Sequence, residues 1–113
     1  MKRSISLVLL FVLLSISSAQ DKKVVETEFK VFGNCNMCKT RIEKAVKISE
    51  VKFAKWDKKS KMLNVAFEST ITADSLQKRI AAVGHDTEQF KADKEVYKNL
   101  PGCCLYRDKP TTH

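Results

Sequence analysis

The stretch VFGNCNMCKTRIEKAV, residues 31–46, decides how the chain is read. It holds Cys35 and Cys38 in a CxxC spacing, at the junction between two periodicities. Upstream, KVVETEFKVF alternates. Val25, Thr27, Phe29 and Val31 fall on one face, and Glu26, Glu28 and Lys30 on the other, the pattern of a half-buried strand. Gly33 and Asn34 break it. From about Met37 to Ile48, Cys38, Ile42, Ala45 and Val46 recur at helical spacing, while Arg41, Glu43, Lys44 and Lys47 take the wet side. Cys35 thus belongs to a loop and Cys38 to the first turn of a helix. Free N–H groups and a partial positive charge at that terminus stabilise thiolate.

Outward from this junction, VKFAKWD reads as a strand with untidy alternation, KKSK as a polar turn, and MLNVAFE as a strand with Leu63, Val65 and Phe67 on one face. TITADSLQKRIAAVG reads as a second helix. Thr72 is its N-cap, Leu76, Ile80 and Val83 form its apolar stripe, and Gly84 is its C′ stop. HDTEQFKA reads as a weak fourth strand at the edge. The order β-α-β-β-α-β predicts an α+β, ferredoxin-like sandwich, with a four-stranded antiparallel sheet and two helices on one face. ADKEVYKNL adds a short helix, ended by Pro101-Gly102, so a helical and coil extension over residues 93–113 follows a core domain over 20–92.

The N-terminus points to export. MKR is a positive n-region, Leu7–Leu14 is unbroken apolar, and SSAQDKK offers a cleavage site after Ala19, so residues 1–19 read as a signal peptide. The apolar run is shorter than the roughly 20 residues of a spanning helix, so no stable membrane insertion is expected after cleavage. The protein is then periplasmic or secreted. The formal charge of +8 falls to +6 without Lys2 and Arg3. The lysines are spread rather than clustered, and export argues against nucleic acid. A solvated basic surface, open to an acidic docking partner, is the simpler reading.

All four cysteines, Cys35, Cys38, Cys103 and Cys104, follow the signal segment. A CxxC pair at a helix N-terminus offers few, soft ligands, which suits Cu(I) and also Hg(II); Zn(II) prefers four ligands and needs further groups. The same arrangement serves thiol–disulfide exchange. Against a thioredoxin-type reading, the hairpin falls between the helices and no proline lies near the second helix. Against an RNA-binding module, MLNVAFE lacks the glycine-aromatic pattern. Cys103 and Cys104 have several readings: added ligands if the tail folds back, which extends the range to Zn(II) or Cd(II); disulfides with Cys35 or Cys38; a strained vicinal disulfide; or plain tail packing.

GNCNMCKTRIEKAV, the hairpin and LQKRIAAVGHDTEQF together resemble a heavy-metal-associated domain, over about residues 24–92. That family includes copper chaperones, modules of copper-transporting ATPases and periplasmic mercury-binding proteins. The resemblance implies that Cys35 and Cys38 are the metal ligands. Where the family motif has Met and Thr before its first cysteine, this chain has Gly33 and Asn34. Phe32 or Met37 is then expected to plug the core beneath the loop, with Met37 also a candidate soft ligand. Where the family often has Tyr or Lys beside the metal, this chain has His85, a candidate third ligand through neutral imidazole.

These readings converge on an exported, non-enzymatic protein that binds and transfers a soft metal ion in homeostasis or detoxification. Cu(I) leads, with Hg(II), Zn(II) or Cd(II) as alternatives. Cys35 and Cys38 are the main ligands, and His85, Cys103 and Cys104 are further candidates. Lys39 and Arg41 offset the thiolate charge. The expected partner is a metal transporter or another thiol-bearing metal-binding protein. A monomer is expected, with a metal-bridged dimer as the alternative assembly. A thiol–disulfide redox protein using the same CxxC is the alternative function.

Overall fold

A computed structural model describes residues 23–108. The signal segment read over residues 1–19 and the last five residues lie outside them. The elements run β1 (Val24–Lys30), α1 (Asn36–Ala45), β2 (Val51–Trp56), β3 (Met62–Glu68), α2 (Ala73–Ala82) and α3 (Lys94–Tyr97), followed by a 3-10 turn at Gly102–Cys104. The strands form an antiparallel sheet in the order β1-β3-β2. Among the described residues no helix is long and apolar enough to cross a membrane.

Alternation in β1 and β3 sets the buried face. Phe29 pairs with Leu63, and Val65 and Phe67 continue that face; all four are buried. The opposite face carries Glu26, Glu28, Asn64 and Ala66. The untidy pattern of β2 has a physical cause. Val51 pairs with Phe67 but Phe53 pairs with Ala66, so the register shifts at Lys52. This bulge turns Phe53 outward, where it is 52% exposed, and lets Ala54 and Trp56 rejoin Val51 on the inner face. Ile42 and Val46 of the α1 region and Leu76 and Ile80 of α2 close the core.

Both ends of α2 follow the sequence reading. Thr72 Oγ1 accepts from the Ser75 N–H at 3.1 Å. Gly84 adopts φ 110°, with its N–H on Ala81 O and the His85 N–H on Ile80 O. A side chain there would also collide with Leu100, 2.8 Å from an added Cβ.

The fourth strand does not form as predicted: among the described residues the sheet has three strands, and the segment contributes one isolated bridge, Val31 to Thr87. Phe32 N–H to Asp86 O and Glu88 N–H to Lys30 O flank this bridge, and the pairing stops there because the next amide, Lys30 N–H, goes to the Glu88 side chain. Gln77 Oε1 accepts from Thr87 Oγ1 and from the Gln89 N–H, while the Thr87 N–H bonds to Phe90 O and turns the chain on itself. Asp86 Oδ1 takes the Ala92 N–H at 2.8 Å.

The C-terminal segment packs onto this body. Tyr97, Leu100, Cys104 and Tyr106 are buried members of the core. The Tyr106 hydroxyl donates to Gly84 O and accepts from the Asp86 N–H, both at 2.8 Å. Arg107 holds both oxygens of Asp86, at 3.1 and 2.7 Å, donates to Ala92 O, and stacks over Tyr97 at 4.3 Å. Asp86 sits in the loop after α2, so this clamp fixes the tail beside the loops that carry the cysteines.

Candidate metal centre

Cys35 takes the N-cap position of α1 in an extended conformation, φ −136° and ψ 177°, and Cys38 lies in the first turn. The loop ahead of them is shaped by Trp56. Its indole fills the space beneath Gly33, and its Nε1–H donates to Val31 O at 2.9 Å. A Cβ built on Gly33 would lie 2.9 Å from Cys38 Cβ and 3.2 Å from the Trp56 ring. Glycine is required here by this close approach. The plug beneath the loop is therefore Trp56, and neither Phe32 nor Met37. Those two are 37% and 53% exposed, because both lie on the outer side of the turn. Trp56 escaped the sequence reading since the bulge that aims it inward is a register effect. A lone tryptophan at the end of a hairpin strand was the signal available.

The 3-10 turn brings the two tail cysteines onto the CxxC loop. Cys35 Sγ lies 3.4 Å from Cys38 Sγ, 3.5 Å from Cys104 Sγ and 2.8 Å from Cys103 Sγ. Cys38 Sγ lies 2.8 Å from Cys104 Sγ, and Cys103 and Cys104 are 3.9 Å apart. All four are free thiols. Cys35, Cys38 and Cys104 are buried and their sulfurs lie within 4.8 Å of one another, a grouping that could hold a metal ion. Cys103 is half-buried at its edge, with its sulfur 3.6 Å from Met37 Sδ.

The electrostatics single out one thiol. At Cys35 burial opposes ionisation, but hydrogen bonding with Cys103, with the Cys38 backbone and with the other two thiols outweighs it, and the pKa falls from 9.0 to about 7. Burial, then hydrogen bonding with Cys38 and Cys35, drives Cys104 far upward. The bond to Cys35 raises Cys103 as well. The Asn34 N–H reaches Cys38 Sγ at 3.3 Å. Cys35 is thus more readily ionised than either tail thiol, and a metal ion held by the cluster would displace thiol protons.

The positive charge beside the cluster comes from Lys61. It sits at φ 69° after the β2–β3 turn, and its ammonium bonds to Gly33 O at 2.6 Å. Burial lowers its pKa, and the Cys38 and Cys35 sulfurs act against that shift. Lys39 pairs with Glu43 and bonds to Trp56 O at 3.1 Å instead.

His85 does not join the thiol grouping. It is fully buried, its ring stacks on Tyr106 with centroids 5.4 Å apart, and burial pulls its pKa down to about 4. Nδ1 lies 2.7 Å from Phe32 O. A carbonyl only accepts, so the neutral ring carries its proton on Nδ1 and braces the strand leading into the loop. Nε2 has no hydrogen-bond partner among the described residues.

No protein-family model matches the sequence, and no curated protein matches it either. Two solved structures resemble it. One is the solution structure of a candidate copper-ion-binding protein of Bacillus anthracis, at 22% identity and TM-score 0.56, covering 60% of this chain and all of that one. The other is the apo heavy-metal-associated (HMA) domain of the copper chaperone for superoxide dismutase, at 16% identity and TM-score 0.54, covering 71% of this chain and 83% of that one. Both likenesses are of fold: this chain is an α+β domain built like an HMA domain, with a cysteine cluster at the start of its first helix.

Proposed function

We propose that the chain is an exported carrier of Cu(I), which it binds through Cys35, Cys38 and Cys104 and surrenders to a thiol-bearing partner without catalytic turnover. The observation that carries the reading is the grouping of three buried thiols, one of them already acidic, at a helix N-terminus. The donor set is all sulfur, with no carboxylate or imidazole in it, and such soft ligands at low coordination number favour Cu(I). Metal–sulfur bonds of about 2.3 Å would set three sulfurs about 4 Å apart around a trigonal ion. The observed separations of 2.8 to 3.5 Å would have to open by roughly 0.5 to 1.2 Å to admit one, most at the Cys38–Cys104 pair. Three thiolates around Cu(I) leave excess negative charge, which Lys61 and the α1 terminus offset. Sulfur ligands of a partner would take the ion by stepwise exchange. The copper-binding descriptions of the two structural neighbours agree with this reading. The apolar run at residues 7–14 and the small residues before Gln20 support export.

Native mass spectrometry of the reduced protein, titrated anaerobically with Cu(I), Zn(II) and Hg(II), tests the proposal. Cu(I) is expected to bind, and Cys35→Ser/Cys38→Ser and Cys104→Ser to abolish or sharply weaken binding. Wild-type affinity in Cys35→Ser/Cys38→Ser would overturn it. Preference for Zn(II) would instead make Cys103 a fourth ligand. A second reading, thiol–disulfide exchange, is favoured by the 2.8 Å approaches of Cys35 to Cys103 and Cys38 to Cys104. Disulfide reductase activity without Cu(I) binding would select it.

A further inference from the structure

The cluster is asymmetric in a way that bears on how an ion reaches it. Cys38 and Cys104 are fully enclosed, and Cys35 is nearly so. A partner's thiol cannot approach those three sulfurs directly. Cys103 is half-buried, and beyond it lies Met37, more than half exposed, with its thioether 3.6 Å from the Cys103 sulfur. An exposed methionine on the first turn of α1 contributes no core packing. Its sulfur continues a chain that runs Met37, Cys103, Cys35 and then the enclosed pair. Cys35 is the hub, with the other three thiols at 2.8, 3.4 and 3.5 Å. Ligand exchange needs an incoming sulfur within bonding reach before the outgoing one releases. Cys103 is the thiol that both solvent and Cys35 can reach.

We propose that Met37 and Cys103 form the exchange port of the metal site, a pair of outer sulfurs through which a soft ion passes between a partner's thiolates and the enclosed Cys35, Cys38 and Cys104. The port rests on the metal-binding reading above. On loading, a Cu(I)–sulfur bond to Cys103 forms as one to the partner breaks, and the proton leaving the Cys103 thiol goes to the released partner thiolate. Cys35 and then Cys104 bond the ion as the bond to Cys103 breaks, and the proton that the Cys104 thiol loses on binding passes to the released Cys103 thiolate, 3.9 Å away. Copper stays Cu(I) throughout, so no oxidant or reductant is needed. Here the loop cysteines are enclosed, and the tail supplies the exchanging sulfur.

The test compares equilibrium with rate in the reduced chain, using bathocuproine disulfonate as the Cu(I) acceptor. Met37→Leu/Cys103→Ser is expected to keep its Cu(I) affinity within about threefold of wild type while slowing release by about tenfold or more, since removing a route changes kinetics and not the enclosed ligands. Cys103→Met, which keeps a soft sulfur in place, is expected to recover much of the rate. Cys104→Ser should instead lose affinity by more than about 100-fold, beyond the range for groups one shell outside a metal. Wild-type release from Met37→Leu/Cys103→Ser would overturn the port. So would an affinity loss in it comparable to that of Cys104→Ser, which makes Cys103 a resident ligand. Absence of Cu(I) binding by the wild-type chain removes the metal-binding reading itself, and is read before any variant.

Discussion

Gly33→Ala probes the contact that shapes the cysteine loop. The added methyl would lie 2.9 Å from Cys38 Cβ and 3.2 to 3.3 Å from the Trp56 ring. Neither neighbour can withdraw cheaply. Trp56 Nε1 is held by Val31 O and Lys61 O, and the Trp56 backbone N–H by Glu43 Oε2. Cys38 is part of α1 and is enclosed by Cys35 and Cys104. Forcing one methyl into a filled site costs about 1–3 kcal/mol. With a urea m-value of about 1.5 kcal/mol/M, a 2 kcal/mol loss lowers the midpoint by about 1.3 M. Cys38 is the atom displaced, so Cu(I) affinity should fall as well, by about tenfold, the scale on which metal sites respond to disturbed support. The assays are urea unfolding of the reduced apo protein and Cu(I) competition against a chelator. An alanine variant with wild-type midpoint and wild-type affinity would refute the close-packing account of Gly33.

Three further outcomes are expected. Tyr106→Phe strips the buried Gly84 O and Asp86 N–H of their shared partner, and should cost about 1–3 kcal/mol and speed alkylation of Cys104, read by urea unfolding and iodoacetamide kinetics. Histidine titrates near 6.5 when unfolded and at about 4 at His85, so between those values the unfolded state binds more protons. The stability that His85 contributes is whole above pH 6.5 and is lost as pH falls toward 4, by up to about 3 kcal/mol, and a resonance assigned to His85, rather than to His113, that titrates by NMR near 6.5 would contradict this. Glutathione disulfide, releasing two glutathiones per bridge, is expected to join Cys35 to Cys103 and Cys38 to Cys104; peptide mapping that finds Cys35–Cys38 and Cys103–Cys104 instead would show that the loop and tail separate.

The linkage windows keep the pH experiment interpretable. Asp86 is held below its ordinary 3.8: burial opposes this, and the Arg107 bonds outweigh it. Its contribution is present above pH 3.8 and fails only below it. The Cys35 thiol, lowered to about 7 from 9.0, adds stability as pH rises from 7 toward 9. The interval between pH 4.5 and 6.5 therefore isolates His85.

Much of the fold was legible because its elements are written in short-range patterns. The alternation of Val25 to Val31, the helical spacing of Leu76, Ile80 and Val83, and the capping pair Thr72 and Gly84 need only their neighbours in sequence. The fourth strand was misread for the complementary reason. HDTEQFKA has the composition of an edge strand, but its pairing ends after one bridge, where the Lys30 N–H goes to the Glu88 side chain and the Thr87 N–H turns back to Phe90 O. The plug beneath the loop was misassigned because a bulge at Lys52 reverses which residues of β2 face inward.

The sequence by itself determined that two thiols stand at a strand-to-helix junction, one of them on a helix N-terminus, since both facts depend on local periodicity and spacing. It left open where Cys103 and Cys104 lie relative to that junction. The tertiary structure decided that: Leu100, Tyr106 and Arg107 dock the tail against Gly84 and Asp86 and carry Cys104 across 66 residues of chain to within 2.8 Å of Cys38. Such a meeting depends on burial and hydrogen bonding between distant segments, and no pattern within either cysteine pair encodes it.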